Sequence, residues 1–239
     1  MEIFIIGHKT TNYGFWEEHP YKPLQVGSGE TFLALRDNTG DNISEWNPVY
    51  AENTGLYWIY RNVDSDIIGV CQYRRRIKVP AGAFEKYDAV VCKPIKVVTV
   101  ENQYRVCHSS VDLEITKKII EKYYPEYLES WINTMKGSIL FYSNRFVLKK
   151  DLFMNYCDFL FGVCEKYKDF MGWKTVEDVK KTVEQQIEAK KRNGARGLAY
   201  QLQVFGFLSE RLFTVWLNKS VPADKVLVTE GVFMENINI

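Results

Sequence analysis

The sequence has almost no net charge and no long apolar run, and each of these absences removes a class of protein. Its 31 basic and 30 acidic residues give a net charge of +1, so nothing attracts the whole chain to nucleic acid or to an anionic membrane. No apolar run is long enough to span a bilayer, and the amino terminus lacks the pattern of a cleavable secretion signal. We therefore expect a cytoplasmic protein with no nucleic-acid partner, and attachment to the inner face of the cell membrane stays open.

Several cofactor and catalytic motifs are also missing. There is no GxGxxG after the first apolar run and no GxxxxGK[ST], which argues against a dinucleotide-dependent oxidoreductase and a P-loop nucleotidase. No GxSxG motif accompanies His8 or His108, so nothing supports a hydrolase triad. The five cysteines form no CxxC pair and no cluster with metal-ligand spacing, which is typical of reduced thiols in a cytosolic protein.

Apolar and aromatic residues, in contrast, are plentiful. Hydrophobic residues make up 46% of the chain and charged residues 26%, as in a globular protein with a packed core. The 239 residues fit one enzyme-sized domain, and we expect a single domain over residues 1–239. The aromatic fraction of 15% suits stacking on ring-shaped ligands and equally suits an aromatic core.

Short apolar runs alternate with helical patterns, which predicts an α/β fold with a mixed sheet flanked by helices. Buried strands are predicted at 3–6, 67–71 and 87–92, and a strand or hairpin at 137–149. Helices are predicted at 50–62, at 113–135 with a break at Pro125, at 151–168, at 174–193 and at 198–216. Residues 10–48 show little periodicity and are expected to form a long functional loop.

Arg74, Arg75 and Arg76 follow directly after a predicted strand. Because ligands bind at the carboxyl ends of strands in α/β sheets, we expect these guanidinium groups to clamp a diphosphate. The alternative is that the three arginines form an ordinary solvated loop. His8 and Lys9 follow the first predicted strand and are expected at the same edge of the sheet.

Asp64 and Asp66 match the DxD pattern in which two carboxylates hold a divalent ion against a diphosphate. They precede the predicted strand at 67–71, however, and therefore belong to the opposite edge of the sheet from the arginines. A turn before a strand is the better interpretation. We expect no divalent metal, and the arginines would then supply the positive charge that a metal gives elsewhere.

Six short segments are spread over residues 37–212: 37–44 (DNTGDNIS), 47–62 (NPVYAENTGLYWIYRN), 68–75 (IGVCQYRR), 108–112 (HSSVD), 144–146 (NRF) and 207–212 (FLSERL). Together, and in this order, they resemble a bacterial family that was first catalogued as a domain of unknown function. Members of that family occur in capsular and exopolysaccharide biosynthesis, and some are galactosyl- or galactofuranosyltransferases. The family usually has histidine where this chain has Gln72, so a histidine-dependent role is not expected there. Residues 174–193 are less similar and are interpreted as a helical insertion that shapes the acceptor side.

The resemblance implies a GT-A-like fold with a Rossmann-like nucleotide-binding core. It also implies a glycosyltransferase that moves galactofuranose or galactose from a UDP-sugar to a saccharide or lipid-linked saccharide in surface polysaccharide biosynthesis. We expect the reaction to be inverting and metal-independent. The main alternative is a noncatalytic nucleotide- or carbohydrate-binding protein, and a hydrolase is a weaker third hypothesis.

An inverting transfer needs a carboxylate that takes the proton from the acceptor hydroxyl. The candidates are Glu52, Asp112 and Glu210, and we assign the role to Asp112 or Glu210, because the alternative for Glu52 is the binding of donor hydroxyl groups. The alternative for Asp112 is an acid in the first turn of a helix, favoured by the helix dipole, and for Glu210 it is an internal ion pair with Arg211. Donor binding is assigned to the polar residues expected at the ligand edge, which are His8, Lys9, Glu52, Tyr73, Arg74, Arg75, Arg76 and His108.

Overall fold

A computed structural model describes residues 1–9 and 20–233. Within these residues the strands are β1 (Glu2–Gly7), β2 (Tyr21–Gln25), β3 (Ile67–Gln72), β4 (Arg75–Ile77), β5 (Ala89–Cys92), β6 (Ile95–Lys96), β7 (Ile139–Leu140), β8 (Phe146–Lys149), β9 (Val226–Thr229) and β10 (Gly231–Phe233). The α-helices are α1 (Asn47–Tyr50), α2 (Asn53–Asn62), α3 (Ala83–Lys86), α4 (Val100–Cys107), α5 (Ser110–Tyr123), α6 (Leu128–Lys136), α7 (Lys150–Met171), α8 (Val176–Glu188), α9 (Leu198–Gln201) and α10 (Val204–Ser220).

Eight of these strands form one mixed sheet, and β6 and β7 form a separate ribbon. β1 is parallel to both β2 and β3, β8 is antiparallel to both β3 and β5, and β9 is parallel to β5. Hence β1, β2, β3, β5 and β9 point the same way, and β8 runs against them. β4 and β10 extend the sheet beyond the carboxyl end of β3. The carboxyl ends of β1, β2 and β3 therefore meet at one edge.

Apolar side chains cover both faces of the sheet, and the two-residue period of each strand divides them between the faces. In β1, Phe4 and Ile6 face a large core formed with the helices, whereas Ile3 and Ile5 face a smaller core on the other side. A strand that is buried on both faces needs a continuous apolar run. This is why short apolar runs were enough to predict β1, β3 and β5.

The helix α10 crosses the larger core. Its residues 208–217 are all buried, and such a helix must be surrounded by protein. The helices α6 and α7 pack against it, and the Trp216 indole N–H donates to the Asn155 side-chain oxygen over 2.7 Å. Glu210 and Arg211 are the charged residues in this buried run, so each needs a polar partner inside the protein.

The α/β class with a mixed sheet and flanking helices, predicted from the sequence, is confirmed. The break at Pro125 is also confirmed, because α5 ends before it and α6 begins after it. Three details differ. Within the loop predicted at 10–48, residues 21–25 form β2, an edge strand whose Pro23 weakens the strand signal. Residues 75–77 form β4 instead of a loop, and β7 and β8 do not form a hairpin, because β7 pairs with β6. Residues 10–19 of the predicted loop lie outside the described residues.

Gly69 lets β3 and β8 approach closely, and replacing it should destabilise the protein. A Cβ at this position would lie 2.6 Å from the Val147 Cγ2 and 3.1 Å from the Phe146 carbonyl oxygen. Rotation of a side chain cannot relieve the second contact, so Gly69→Ala should lower the free energy of unfolding by about 1–3 kcal/mol in urea denaturation. Gly29→Ala is the control, because nothing lies within 4 Å of its Cβ position. Equal stability of the two variants would contradict the close approach.

Candidate functional site

A cavity of about 820 Å³ opens at the edge where β1, β2 and β3 end. Its sheet side is lined by residues that follow or end these strands, including His8, Val26 and Gln72. Residues of α9, of α10 and of the loop before β8 also line it. Carboxyl ends of parallel strands are the usual place for ligands in α/β sheets, and the sequence predicted a ligand at this edge.

Two of the three consecutive arginines line this cavity. Tyr73 and Arg74 form the turn after β3, and Arg75 begins β4, with its Nη1 donating to the Ser143 hydroxyl over 2.6 Å. Arg76 does not line the cavity, and its guanidinium lies 4.2 Å from the centre of the Tyr21 ring. Successive residues of a strand point to opposite faces, so Arg75 and Arg76 cannot share a ligand. The prediction that Arg76 joins the diphosphate clamp therefore does not fit the structure.

The backbone is strained around the cavity. Four described non-glycine residues have positive φ values, and three of them lie at or beside the cavity: Ala51, Ser143 and Asn144, with φ values of 50°, 72° and 40°. Ala51 and Ser143 line the cavity, and the Asn144 side-chain nitrogen donates to the Ser209 hydroxyl over 2.8 Å. Left-handed conformations of such residues cost of order 1–3 kcal/mol each, and they cluster at functional sites because surrounding contacts must hold them. The strain marks this cavity as a candidate site.

Glu52 lines the cavity beside the end of β3. The Gln72 side-chain nitrogen donates to the Glu52 Oε1 over 3.1 Å, and the Asn144 nitrogen lies 3.5 Å from the same oxygen. Burial raises the pKa of Glu52, and these hydrogen bonds only partly oppose it. The side chain of Gln72, which replaces the histidine usual in the family, therefore binds the Glu52 carboxyl group.

Glu210 lies on the helical side of the cavity. The Ser143 backbone N–H donates to its Oε1 over 2.9 Å, and the Arg211 Nη1 donates to its Oε2 over 2.7 Å. Burial raises the pKa of Glu210 to about 7, with Arg211 opposing the rise and Glu52 adding to it. A carboxyl group with a pKa near neutrality can accept and release a proton at physiological pH.

Asp112 does not line the cavity, and the structure does not support its assignment as a base. Its carboxylate is fully buried and accepts hydrogen bonds from the Tyr104 and Tyr167 hydroxyls over 2.9 and 3.1 Å. The Arg192 Nη2 donates to it over 2.5 Å, and both side chains of this ion pair are fully buried. These partners leave the carboxylate no access to a substrate. Asp112 lies in the first turn of α5, which was the alternative interpretation.

The cavity lining includes two of the remaining predicted donor-binding residues, His8 and His108, but not Lys9. His8 lines the cavity edge-on to the Tyr73 ring at 5.5 Å, and its pKa is lowered by partial burial and by the charges of Lys9 and Arg74. Lys9 is exposed and is not among the residues that line the cavity. His108 is buried in the cavity wall, stacked on Phe207 at 3.8 Å, and burial lowers its pKa to about 3. The His108 imidazole is therefore neutral.

Asp64 and Asp66 lie before β3, at the end of the sheet opposite the cavity. The Lys150 ammonium forms an ion pair with Asp64 at 2.5 Å. Within residues 1–9 and 20–233, no group of three or more His, Cys, Asp and Glu side chains is arranged to hold a metal ion. The acidic side chains that line the cavity are Glu52 and Glu210.

Sequence reasoning missed several residues of the site. Ser143 and Asn144 bind the two glutamates, and Arg196, Tyr200 and Gln203 line the helical side. Only Asn144 carried a signal, as part of a segment used for the family resemblance. The other four residues reach the site through contacts between segments that are far apart in the chain. A pattern in the neighbouring sequence cannot reveal such contacts.

Comparisons with known proteins give one family match and one structure with a similar fold. A family model described as a domain of unknown function (DUF4422) matches residues 2–221. A solved structure described as the apo form of the bifunctional glycosyltransferase WbbM has 24% sequence identity and a TM-score of 0.76 over 99% of this chain. The match covers 45% of that protein, so this chain spans less than half of its length. No curated protein matches this chain. Among the described residues, no helix is long and apolar enough to cross a membrane.

The buried position of Asp112 gives a prediction about stability. Asp112→Asn leaves Arg192 buried without its counter-charge, so the free energy of unfolding should fall by about 3–5 kcal/mol in urea denaturation. Asp64→Asn is the control, because its ion pair is exposed and its loss should change little. If Asp112→Asn kept full stability and lost only activity, Asp112 would instead act as a base.

Proposed function

The chain belongs to the family described as domain of unknown function DUF4422, and we propose that it is a glycosyltransferase. One observation carries the proposal. The cavity at the carboxyl edge of the sheet places two arginines, Arg74 and Arg75, together with Glu210, whose pKa is raised to about 7. Arginines suit a diphosphate, and a carboxyl group of this kind suits proton transfer. The fold shared with a glycosyltransferase structure supports the same activity.

The donor in this proposal is a UDP-sugar, with galactofuranose or galactose favoured by the family resemblance. Arg74 and Arg75 would bind its diphosphate from the turn after β3, next to His8 and Tyr73. A guanidinium presents several N–H donors in a rigid plane and stays charged at every physiological pH. These two arginines would balance the negative charge that builds on UDP as it leaves, without a divalent metal.

Glu210 would be the base. An acceptor hydroxyl attacks the anomeric carbon, its proton moves to the Glu210 carboxylate, and the bond from that carbon to the UDP oxygen breaks. The product is an inverted glycosidic bond, and UDP carries away the bonding electrons. The hydrogen bonds from the Ser143 N–H and from Arg211 fix the carboxylate in place.

Glu52 would bind hydroxyl groups of the donor sugar. The acceptor would be a saccharide or a lipid-linked saccharide, and the enzyme would work in the cytoplasm.

The diphosphate clamp is tested by UDP binding. Arg74→Ala and Arg75→Ala should each weaken UDP by about tenfold, because each removes charge-assisted hydrogen bonds to phosphate. Isothermal titration calorimetry in EDTA measures this without a metal. Arg76→Ala is the matched control and should leave the UDP affinity unchanged, because Arg76 lies against Tyr21. Unchanged affinity in both cavity variants would remove the clamp, and binding that requires Mn²⁺ or Mg²⁺ would contradict metal independence.

The base is tested by turnover. Glu210→Gln should slow transfer by about 10²- to 10⁴-fold while UDP still binds. The base must be ionised to accept a proton, so kcat/KM of the unmodified enzyme should fall as the pH drops below about 7.

A thermal-shift screen of UDP-sugars identifies the donor, and UDP release with oligosaccharide acceptors measures the rate. Glu52→Gln is the comparison, and a larger loss there than in Glu210→Gln would move the base to Glu52. UDP binding without any turnover would favour a noncatalytic binding protein.

A further inference from the structure

One part of the cavity wall comes from the segment that links α8 to α10. Hydrogen bonds hold its first part against the junction of α4 and α5. The Ser109 hydroxyl donates to the Lys191 carbonyl over 2.8 Å, and the Asn193 side-chain nitrogen donates to the Val106 carbonyl over 2.8 Å. Side-chain to backbone bonds of this kind fix the path of a segment that has no regular structure of its own.

A buried ion pair fixes the same segment more firmly. Arg192 reaches into the protein to Asp112, and neither side chain is exposed. The Arg192 Nε also donates to the Gln186 Oε1 over 2.8 Å. Removing two charges from water is costly and is tolerated only with close and well-bonded partners. The ion pair therefore anchors this connection to the protein interior at Arg192.

Arg196, Tyr200 and Gln203 are the polar side chains of this segment that line the cavity. Arg196 is exposed, and its Nη1 donates to the Tyr200 hydroxyl oxygen over 3.0 Å. The Tyr200 hydroxyl accepts this bond, so its own proton remains available for another acceptor. The guanidinium and the hydroxyl group together form a set of donors that matches a carboxylate or a phosphate.

The charges around the cavity leave Arg196 without a counter-charge. Arg211 is paired with Glu210, and Glu52 is bonded by neutral amides. Arg196 forms no ion pair with any residue in the described ranges. The segment 189–197 has four basic residues and no acidic residue. One of the four, Arg192, forms the buried ion pair with Asp112. An anion from a ligand would complete this part of the cavity.

We propose that Arg196 and Tyr200 form an acceptor subsite that binds the anionic group, a carboxylate or a phosphate, of an acidic acceptor saccharide. The proposal rests on the proposed function, since it takes the other side of the cavity as the donor site. The Phe207 and His108 rings lie beside Tyr200, at 4.8 and 5.9 Å, and offer an apolar surface for the sugar ring. His108 is neutral and adds no charge of its own.

The test is a titration of the UDP-saturated protein with three probes: methyl glucuronide, galactose 1-phosphate and neutral methyl galactoside. Calorimetry or ligand-observed NMR measures their affinities. The anionic probes should bind about tenfold more tightly than the neutral one. Arg196→Ala should abolish this preference, and Tyr200→Phe, which keeps the ring, should reduce it. The first two probes distinguish a carboxylate subsite from a phosphate subsite.

Arg105→Ala is the control variant, because Arg105 is exposed on α4, pairs with Glu101 and does not line the cavity. It should change neither UDP nor probe affinity. Equal binding of neutral and anionic probes, or a preference that survives in Arg196→Ala, would overturn the subsite. Loss of UDP affinity in Arg196→Ala would also overturn it, because Arg196 would then belong to the donor site. If the unmodified protein does not bind UDP at all, the proposed function fails independently of the subsite.

Discussion

The carboxyl group of Glu210 connects the parts of the protein that enclose the cavity. It projects from a buried helix and accepts the backbone N–H of Ser143, in the loop before β8. The Ser143 hydroxyl in turn accepts a hydrogen bond from Arg75, at the edge of the sheet. Helix, loop and sheet are thus joined through one acidic side chain. Burial raises the pKa of this carboxyl group and the neighbouring Arg211 lowers it. The resulting pKa of about 7 lets the group gain and lose a proton at physiological pH.

This arrangement requires a strained backbone. Ser143 and Asn144 both have left-handed φ values, and the hydrogen bonds of Asn144 to Ser209 and Glu52 hold them there. Strain that contacts must hold in place reduces stability and improves the precision of a site. The buried pair of Asp112 and Arg192 anchors the connection that follows α8 to the protein interior.

Sequence patterns predicted the parts of the molecule that follow from local chemistry. Continuous apolar runs located β1, β3 and β5, and the position of Arg74 and Arg75 after β3 placed them at the ligand edge. The same reasoning put Arg76 beside them, because a run of charges gives no sign that a short strand begins inside it. Asp112 and Glu210 were equally plausible as bases in the sequence. Only the fold separates them, since it surrounds Asp112 with Tyr104, Tyr167 and Arg192 and leaves Glu210 on the cavity.

The order of strands along the chain also governs how the protein can be made. β5 pairs with β8 on one side, but its other neighbour is β9, at residues 226–229. While the chain is being synthesised, β5 therefore remains an open edge until residues 226–229 have left the ribosome. Pairing between such distant segments is slow, and an unpaired apolar strand is prone to join another chain. The arrangement that brings the cavity together thus leaves an apolar strand edge open during synthesis, and slowed translation between the segments that form β5 and β9 should favour aggregation.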